Sequence, residues 1–363
     1  MDRRTIGVYD GRATEWRDRR PPRLLDEAAA FRDAVGPGAG RVRADLGCGP
    51  GGYLDALGTP VLALDASAEM LRLAGEACPA AWRVRADIER LPVRRGALAG
   101  AWARASYLHV PRDRLPLALA ELHHAVEVGA PVVLTLKAGG YEGHELPDDP
   151  FPGRFYACWE PEPLAGVVEG AGFAVRDLDA DDAWITVRAE RVRSLPDTVG
   201  PGMRLLVCGL NPSLYAADAG VGFARPGNRF WPAAIAAGLV TRDRDPLDAL
   251  RNHSLGMTDL VKRATPRAAD LSTAELREGT GRVERLVRWL RPRAVCFVGL
   301  AGWRAAVDRH AVAGVQPGGF GGALAYVMPS TSGLNAHSRP ADFTRHLRAA
   351  TALADRPPRE LRT

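Results

Sequence analysis

Val42-Arg43-Ala44-Asp45-Leu46 running into Gly47-Cys48-Gly49-Pro50-Gly51-Gly52, and Arg204-Leu205-Leu206-Val207-Cys208 running into Gly209-Leu210-Asn211-Pro212, decide the fold of this chain. Each is a short, largely apolar strand that breaks into a turn before a helical stretch. A run of apolar residues without polar alternation is what a strand buried on both faces looks like. The same signature recurs at Val61–Asp65 and Pro131–Leu136 after the first opening, and at Ala294–Val298 and Leu324–Met328 after the second. Strands alternating with helices give an α/β class. Two openings with different loop chemistry give two domains, each a mainly parallel sheet flanked by helices. The expected limits are 1–190 and 203–352, with a linker over 191–202, where Pro196, Gly200 and Pro201 lie, and a flexible tail over 353–363.

A chain of 363 residues, 46% hydrophobic and 25% charged, suits two ordinary globular domains. No apolar run reaches bilayer length and no signal-like segment opens the chain, so a cytoplasmic protein without a membrane partner is expected. The five cysteines are scattered and form no CxxC pair, so neither a disulfide framework nor a metal site is expected. Charge divides unevenly. Residues 196–363 carry 23 Lys+Arg against 14 Asp+Glu, while residues 1–195 carry 25 against 29. The positive surplus sits in the second half, as a phosphate-binding surface requires, although arginine is abundant throughout and compositional bias reads equally well.

In the first half, Gly47, Gly49 and Gly52 satisfy G-x-G-x-x-G between a strand and a helix, where glycine lets backbone amides approach a ligand. Asp65 ends the next strand, where a carboxylate accepts from the hydroxyls of a ribose. Asp45-Leu46-Gly47-Cys48-Gly49-Pro50-Gly51, Ala63-Leu64-Asp65-Ala66-Ser67-Ala68-Glu69-Met70, and Ala86-Asp87-Ile88 with Leu91-Pro92 together resemble the motifs of class I S-adenosylmethionine-dependent methyltransferases, over roughly residues 30–190. The resemblance implies S-adenosylmethionine as cofactor. Asp45, Gly47, Gly49 and Gly51 would then hold its methionine portion, Asp65 the ribose, and Asp87 and Ile88 the adenine edge. A nicotinamide-dependent dehydrogenase is the alternative, and the Cys-Gly-Pro-Gly core fits it poorly. The methyl acceptor stays open, because neither an Asn-Pro-Pro-Tyr nor a Pro-Cys signature follows Asp87. His109 is either a general base or a structural histidine satisfied by its neighbours.

In the second half, Asn211 projects from the carboxyl end of a strand, where α/β folds place their sites. Gly209-Leu210-Asn211-Pro212-Ser213-Leu214, Gly222-Phe223-Ala224-Arg225-Pro226-Gly227-Asn228-Arg229-Phe230-Trp231, Gly256–Pro266 and Met328-Pro329-Ser330-Thr331-Ser332-Gly333-Leu334-Asn335 resemble, in order, the mismatch-specific uracil/thymine DNA glycosylases. That implies hydrolytic removal of uracil, thymine or related damaged pyrimidines mispaired with guanine, with no cofactor and with double-stranded DNA holding G·U or G·T mispairs as the partner. A base inside a duplex is out of reach, so the nucleotide must be extruded and its gap refilled. Leu334 suits an apolar wedge. Ser330, Thr331, Ser332, Gly333 and Asn335 suit uncharged contacts to phosphates. Asn211 is the catalytic candidate, holding a water against C1′, with Asp218 ranked below it. Gly209, Leu210, Ser213 and Phe223 are the base-pocket candidates: Phe223 would stack on the extruded base, and small Ser213 would leave room for a 5-methyl group. Phe230 and Trp231 are assigned to the core. With no lysine expected near the site, a Schiff-base lyase step is not expected. A DNA-lesion-binding module without catalysis, attached to the methyltransferase, is the alternative.

Overall fold

The structure is a computed structural model, and it describes residues 1–38 and 40–356. Its contacts divide the chain between Val192 and Arg193.

The first unit is built on seven strands: β1 (Arg43–Leu46), β2 (Val61–Asp65), β3 (Trp82–Arg85), β4 (Gly100–Arg104), β5 (Pro131–Lys137), β6 (Phe173–Ala180) and β7 (Trp184–Arg191). They lie in the order β3-β2-β1-β4-β5-β7-β6, with β7 antiparallel to both of its neighbours and the other pairs parallel. All four residues of β1 are buried, as a central parallel strand demands. Of helices α1 (Arg3–Gly11), α2 (Leu25–Val35) and α3 (Ala68–Ala77), α2 and α3 pack on the sheet and α1 packs on α3, and Phe31 and Val35 of α2 join Leu54, Leu57 and Trp102 in one core.

The second unit has five strands: β8 (Leu205–Gly209), β9 (Leu255–Asp259), β10 (Ala294–Val298), β11 (Gly314–Phe320) and β12 (Ala323–Met328). Their order is β9-β8-β10-β12-β11, parallel except for β11. Helices α4 (Leu214–Ala219), α5 (Phe230–Ala236), α6 (Thr273–Leu290) and α7 (Pro340–Ala354) follow in the chain. Phe230 and Trp231 are buried with Phe343 and Leu347 of α7, in the core role expected for them. Both units are thus α/β folds with mainly parallel sheets, and no described helix is long and apolar enough to cross a membrane.

Two expected boundaries read differently in the structure. Much of segment 191–202 is docked against the second sheet rather than forming a free linker. Leu195 and Val199 are buried, and Thr198 exchanges backbone hydrogen bonds with Met257 of β9 (2.9 and 2.8 Å). Asp197 is buried against the Lys262 ammonium (2.8 Å), the Arg282 guanidinium (2.7 Å) and the Thr258 hydroxyl (2.6 Å). A buried carboxylate requires such partners, so the segment is fixed wherever Asp197 is. At the other end, Leu353 and Ala354 are buried residues of α7 instead of the start of a flexible tail, because their apolar side chains complete the core. Residues 357–363 of that expected tail lie outside the described residues.

Candidate active sites

The strand register builds the site of the second unit. β8 and β9 pair so that Gly209 lies beside Asp259, both at the carboxyl end of the sheet. Only hydrogen fits at Gly209, since a side chain there would collide with the Asp259 carboxylate and press on the Phe223 ring. Asp259 and Phe223 line one narrow cleft with Gly220, Gly222 and Met257. Burial pushes the Asp259 carboxyl up to about 6, with Asp197 adding to the shift and Lys262 and Arg282 opposing it. Phe223 holds a left-handed backbone (φ +58°), a conformation that costs a non-glycine residue energy and that clusters at functional sites. Its ring stacks on buried Phe230, centroids 4.3 Å apart and planes 21° apart, which fixes its orientation.

Asn211 follows two residues after Gly209. Its side-chain NH2 donates to the Thr265 hydroxyl (2.8 Å) and to the carbonyls of Arg263 (3.0 Å) and Pro212 (3.2 Å). That commits the donor end of the amide and leaves Oδ1 as an acceptor for an incoming group. The other expected pocket residues have structural tasks. The Ser213 hydroxyl caps α4 by accepting from the Ala216 amide (3.2 Å), while Leu210 packs against Gly302, and Tyr215 is half exposed to solvent. Asp218 is exposed and bound by the Arg193 guanidinium, so it is not the carboxylate of the cleft.

The loop after β12 carries Leu334 with 84% of its surface exposed, an unusual position for a leucine. The loop is braced from within. Asn335 donates to the Ser330 carbonyl (2.8 Å) and Ser338 hydroxyl (3.2 Å), and the Leu334 amide reaches the Ser332 hydroxyl (3.3 Å). Arg229 buckles it from outside, donating to the carbonyls of Ser332 (2.5 Å), Asn335 (2.7 Å) and Ser338 (3.0 Å). Gly333 sits against the Gly227 carbonyl, with little room for a side chain. Thr331 departs from its expected phosphate contact: it is buried, its hydroxyl without a partner, and its carbonyl holds the Arg229 amide (3.0 Å).

In the first unit, Gly47, Gly49 and Gly51 all have positive φ (+76°, +53° and +85°). A side chain at Gly47 would collide with Ser106, and one at Gly51 with Ala74, so this turn is tightly packed against its neighbours. The Asp65 carboxylate accepts from the amides of Gly49 and Ser67 (both 2.9 Å), tying the turn to the start of α3. Asp45 is buried with one carboxylate oxygen lacking any hydrogen-bond partner. Burial, with Asp65 nearby, pushes its carboxyl up to about 8. Asp87 accepts from the Met1 ammonium and the Glu89 amide, and Ile88 is buried beside it. His109 is the satisfied histidine of the two readings. Its Nε2 meets the Tyr9 hydroxyl (2.8 Å) and its Nδ1 the Phe155 carbonyl (2.5 Å), and burial pushes it down to about 4, so it stays neutral.

The family model described as "Uracil DNA glycosylase superfamily" matches residues 196–351, and that described as "Methyltransferase domain" matches residues 44–129. The chain joins a methyltransferase domain to a uracil DNA glycosylase superfamily domain. Similar solved structures include the DhpI–SAH complex, 20% identical, covering 52% of this chain and 96% of that one with a TM-score of 0.42. The SAM-dependent methyltransferase from Methanosarcina mazei is 13% identical over 48% of this chain and 99% of its own, TM-score 0.39. That from Mesorhizobium loti is 20% identical over 46% and 100%, TM-score 0.37.

Within the glycosylase domain, Asp259, the carboxylate lining the cleft, lies in the Gly256–Pro266 stretch and is not among the residues that the sequence alone singles out. The available signal was Gly209, a glycine closing an otherwise bulky strand. The sequence reading also expected no lysine near the site, and the structure corrects this. Lys262 lies close enough to influence Asp259, but its ammonium is bound to Asp197. A lysine engaged in that ion pair is not presented as a free nucleophile.

Proposed function

We propose that the glycosylase domain extrudes uracil, thymine or related damaged pyrimidines mispaired with guanine from duplex DNA and hydrolyses their glycosidic bond. The observation that carries the reading is that Phe223 and Asp259 line one cleft at the strand ends, with Gly209, two residues before Asn211, against both of them. The extruded base stacks on Phe223, which Phe230 backs. The Asn211 amide, fixed by Thr265 and Arg263, offers Oδ1 to a water and holds it toward C1′. An amide is too weakly basic to take the water's proton, so Asp259 takes it as the water's oxygen bonds to C1′. Its carboxyl near 6 is ionised at neutral pH yet more basic than an exposed aspartate. The glycosidic bond's electron pair leaves with the base as its anion, and before the water adds, the still ionised carboxylate stabilises the positive charge that develops on the sugar, in a cleft where water screens poorly. Leu334 fills the gap left in the stack. A mispaired base costs less to extrude, which biases the enzyme toward G·U and G·T. With Ser213 small and engaged as a cap, the space a larger residue would close stays open to a 5-methyl group.

Asn211→Ala is expected to abolish base release from a G·U duplex while duplex affinity stays within about threefold, because phosphate contacts carry most of the affinity. Excision and gel-shift assays on one preparation measure both. An active Asn211→Ala enzyme refutes the catalytic assignment. A wild type that binds mispaired DNA but releases no base leaves a binding module.

The methyltransferase domain is proposed to bind S-adenosylmethionine, which supplies an electrophilic methyl group on sulfur. The unpartnered Asp45 oxygen fits an alkylammonium, the glycine turn offers closely approachable backbone, and Asp65 sits at a ribose-binding strand end.

A further inference from the structure

A cationic–aromatic cluster at the carboxyl ends of β4 and β5 has no part in either site. Arg104 ends β4, Lys137 ends β5, and Trp184 opens β7 directly opposite Lys137. The Lys137 ammonium lies 4.9 Å from the centre of the Trp184 ring, and the Arg104 guanidinium lies 6.0 Å from the same centre and 5.9 Å from that of Tyr53. All four residues are half-buried. The cluster borders the glycine turn: Tyr53 follows it in the chain, and Ser106, two residues beyond Arg104, packs against Gly47.

Neither cation meets a carboxylate among the described residues, whereas Arg12, Arg72, Arg112, Arg154, Arg176 and Arg188 of the same unit each do. Two cations drawn to one ring in a half-buried place repel each other, and an anion bound by both removes that cost. The arginine fork and the lysine point charge both suit an oxyanion, and the rings supply a flat wall. A polyanion fits less well, because residues 1–195 carry 25 Lys+Arg against 29 Asp+Glu and so have a net negative charge.

We propose that Arg104 and Lys137, walled by Trp184 and Tyr53, bind the oxyanion of a small acid, carboxylate or phosphate monoester, that is the methyl acceptor of this domain. The acceptor role rests on the reading that the glycine turn binds S-adenosylmethionine; the oxyanion site does not. Calorimetry of the full-length protein tests both, with S-adenosylhomocysteine, benzoate, phenyl phosphate, benzamide and single-stranded oligothymidylate as titrants. Wild type is expected to bind benzoate or phenyl phosphate saturably in the millimolar range, and benzamide not at all; the stronger acid tells which oxyanion is preferred. The Arg104→Gln/Lys137→Gln variant is expected to lose about tenfold or more in acid affinity while S-adenosylhomocysteine affinity stays within about twofold. No saturable acid binding, or equal binding of benzamide, overturns the site. A parallel loss of S-adenosylhomocysteine affinity assigns the cations to the cofactor's own carboxylate and overturns the acceptor reading. Oligothymidylate binding more tightly than phenyl phosphate, and through the same two residues, overturns the small-molecule class. Acid binding without any S-adenosylhomocysteine binding overturns the cofactor reading alone.

Discussion

Asp259 and Asp45 are both carboxyls pushed upward by burial, yet they serve different ends. Asp259 holds its proton more tightly in the folded chain, near 6, than an unfolded aspartate near 4. Ionising it therefore costs stability as pH rises between those values, and above about 6 the full cost is paid. Asp259→Asn is expected to stabilise the protein by on the order of 2 kcal/mol at pH 7.5 and by almost nothing at pH 4, while removing most base release. Thermal melts at both pH values, beside an excision assay, read the two effects; a variant that is destabilised at pH 7.5 refutes the buried-charge account. If Asp259 is the base, wild-type kcat/KM also rises with pH through about 6 and then levels. Asp45 lies higher, near 8, and is mostly protonated at pH 7. A ligand ammonium beside it lowers that value, so S-adenosylhomocysteine binding at pH 7 is expected to release close to one proton in wild type and none through this group in Asp45→Asn. Titrations in buffers of different ionisation heat count the protons, and equal release in both proteins removes Asp45 from the site.

At the scale of elements, the loop after β12 acts as a unit. An exposed leucine is useful as a wedge only if its loop does not yield, and Arg229 supplies that rigidity by donating to three loop carbonyls. Leu334→Ala is expected to slow excision from duplex by about tenfold or more while sparing single-stranded substrate, where no gap needs filling. Arg229→Lys, which keeps the charge and loses the fork, is expected to reproduce that pattern more weakly. Single-turnover rates on both substrates decide, and equal losses return Leu334 to an ordinary packing role. Elements also explain what the sequence revealed. Most central strands were legible because strands buried on both faces read as unbroken apolar runs, although β4, central and buried, was not among them, and Asn211 was legible because it lies just beyond the end of one of them. β3 (Trp-Arg-Val-Arg) and most of β6 escaped because these edge strands are exposed and charged. Asp259 escaped because it enters the cleft through the pairing of β8 with β9, fifty residues apart, and strand register does not show in the local pattern of either.

At the scale of the whole molecule, the chain divides where a buried ion network requires it rather than where prolines and glycines cluster. Burial alone would raise the Asp197 carboxyl, but the Arg282 and Lys262 charges outweigh it and hold it below the ordinary carboxylate range. The same residue is the ion-pair partner of Lys262, so segment 193–202 belongs energetically to the glycosylase domain. Removing one member of such a network leaves uncompensated charge in the interior, at roughly 3–5 kcal/mol. That is a large part of the roughly 5–15 kcal/mol that holds a domain folded. A fragment beginning at Arg193 is therefore expected to fold and to excise uracil. One beginning at Met203, at the proline–glycine boundary, is expected to be unfolded or to melt far lower. Asp197→Asn in the full chain separates charge from chain length, since it keeps Leu195 and Val199 in place. It is expected to lower the melting temperature of the glycosylase transition and leave S-adenosylhomocysteine binding untouched. Equal stability of the two fragments would show that the ion network contributes nothing and that the domain begins after it.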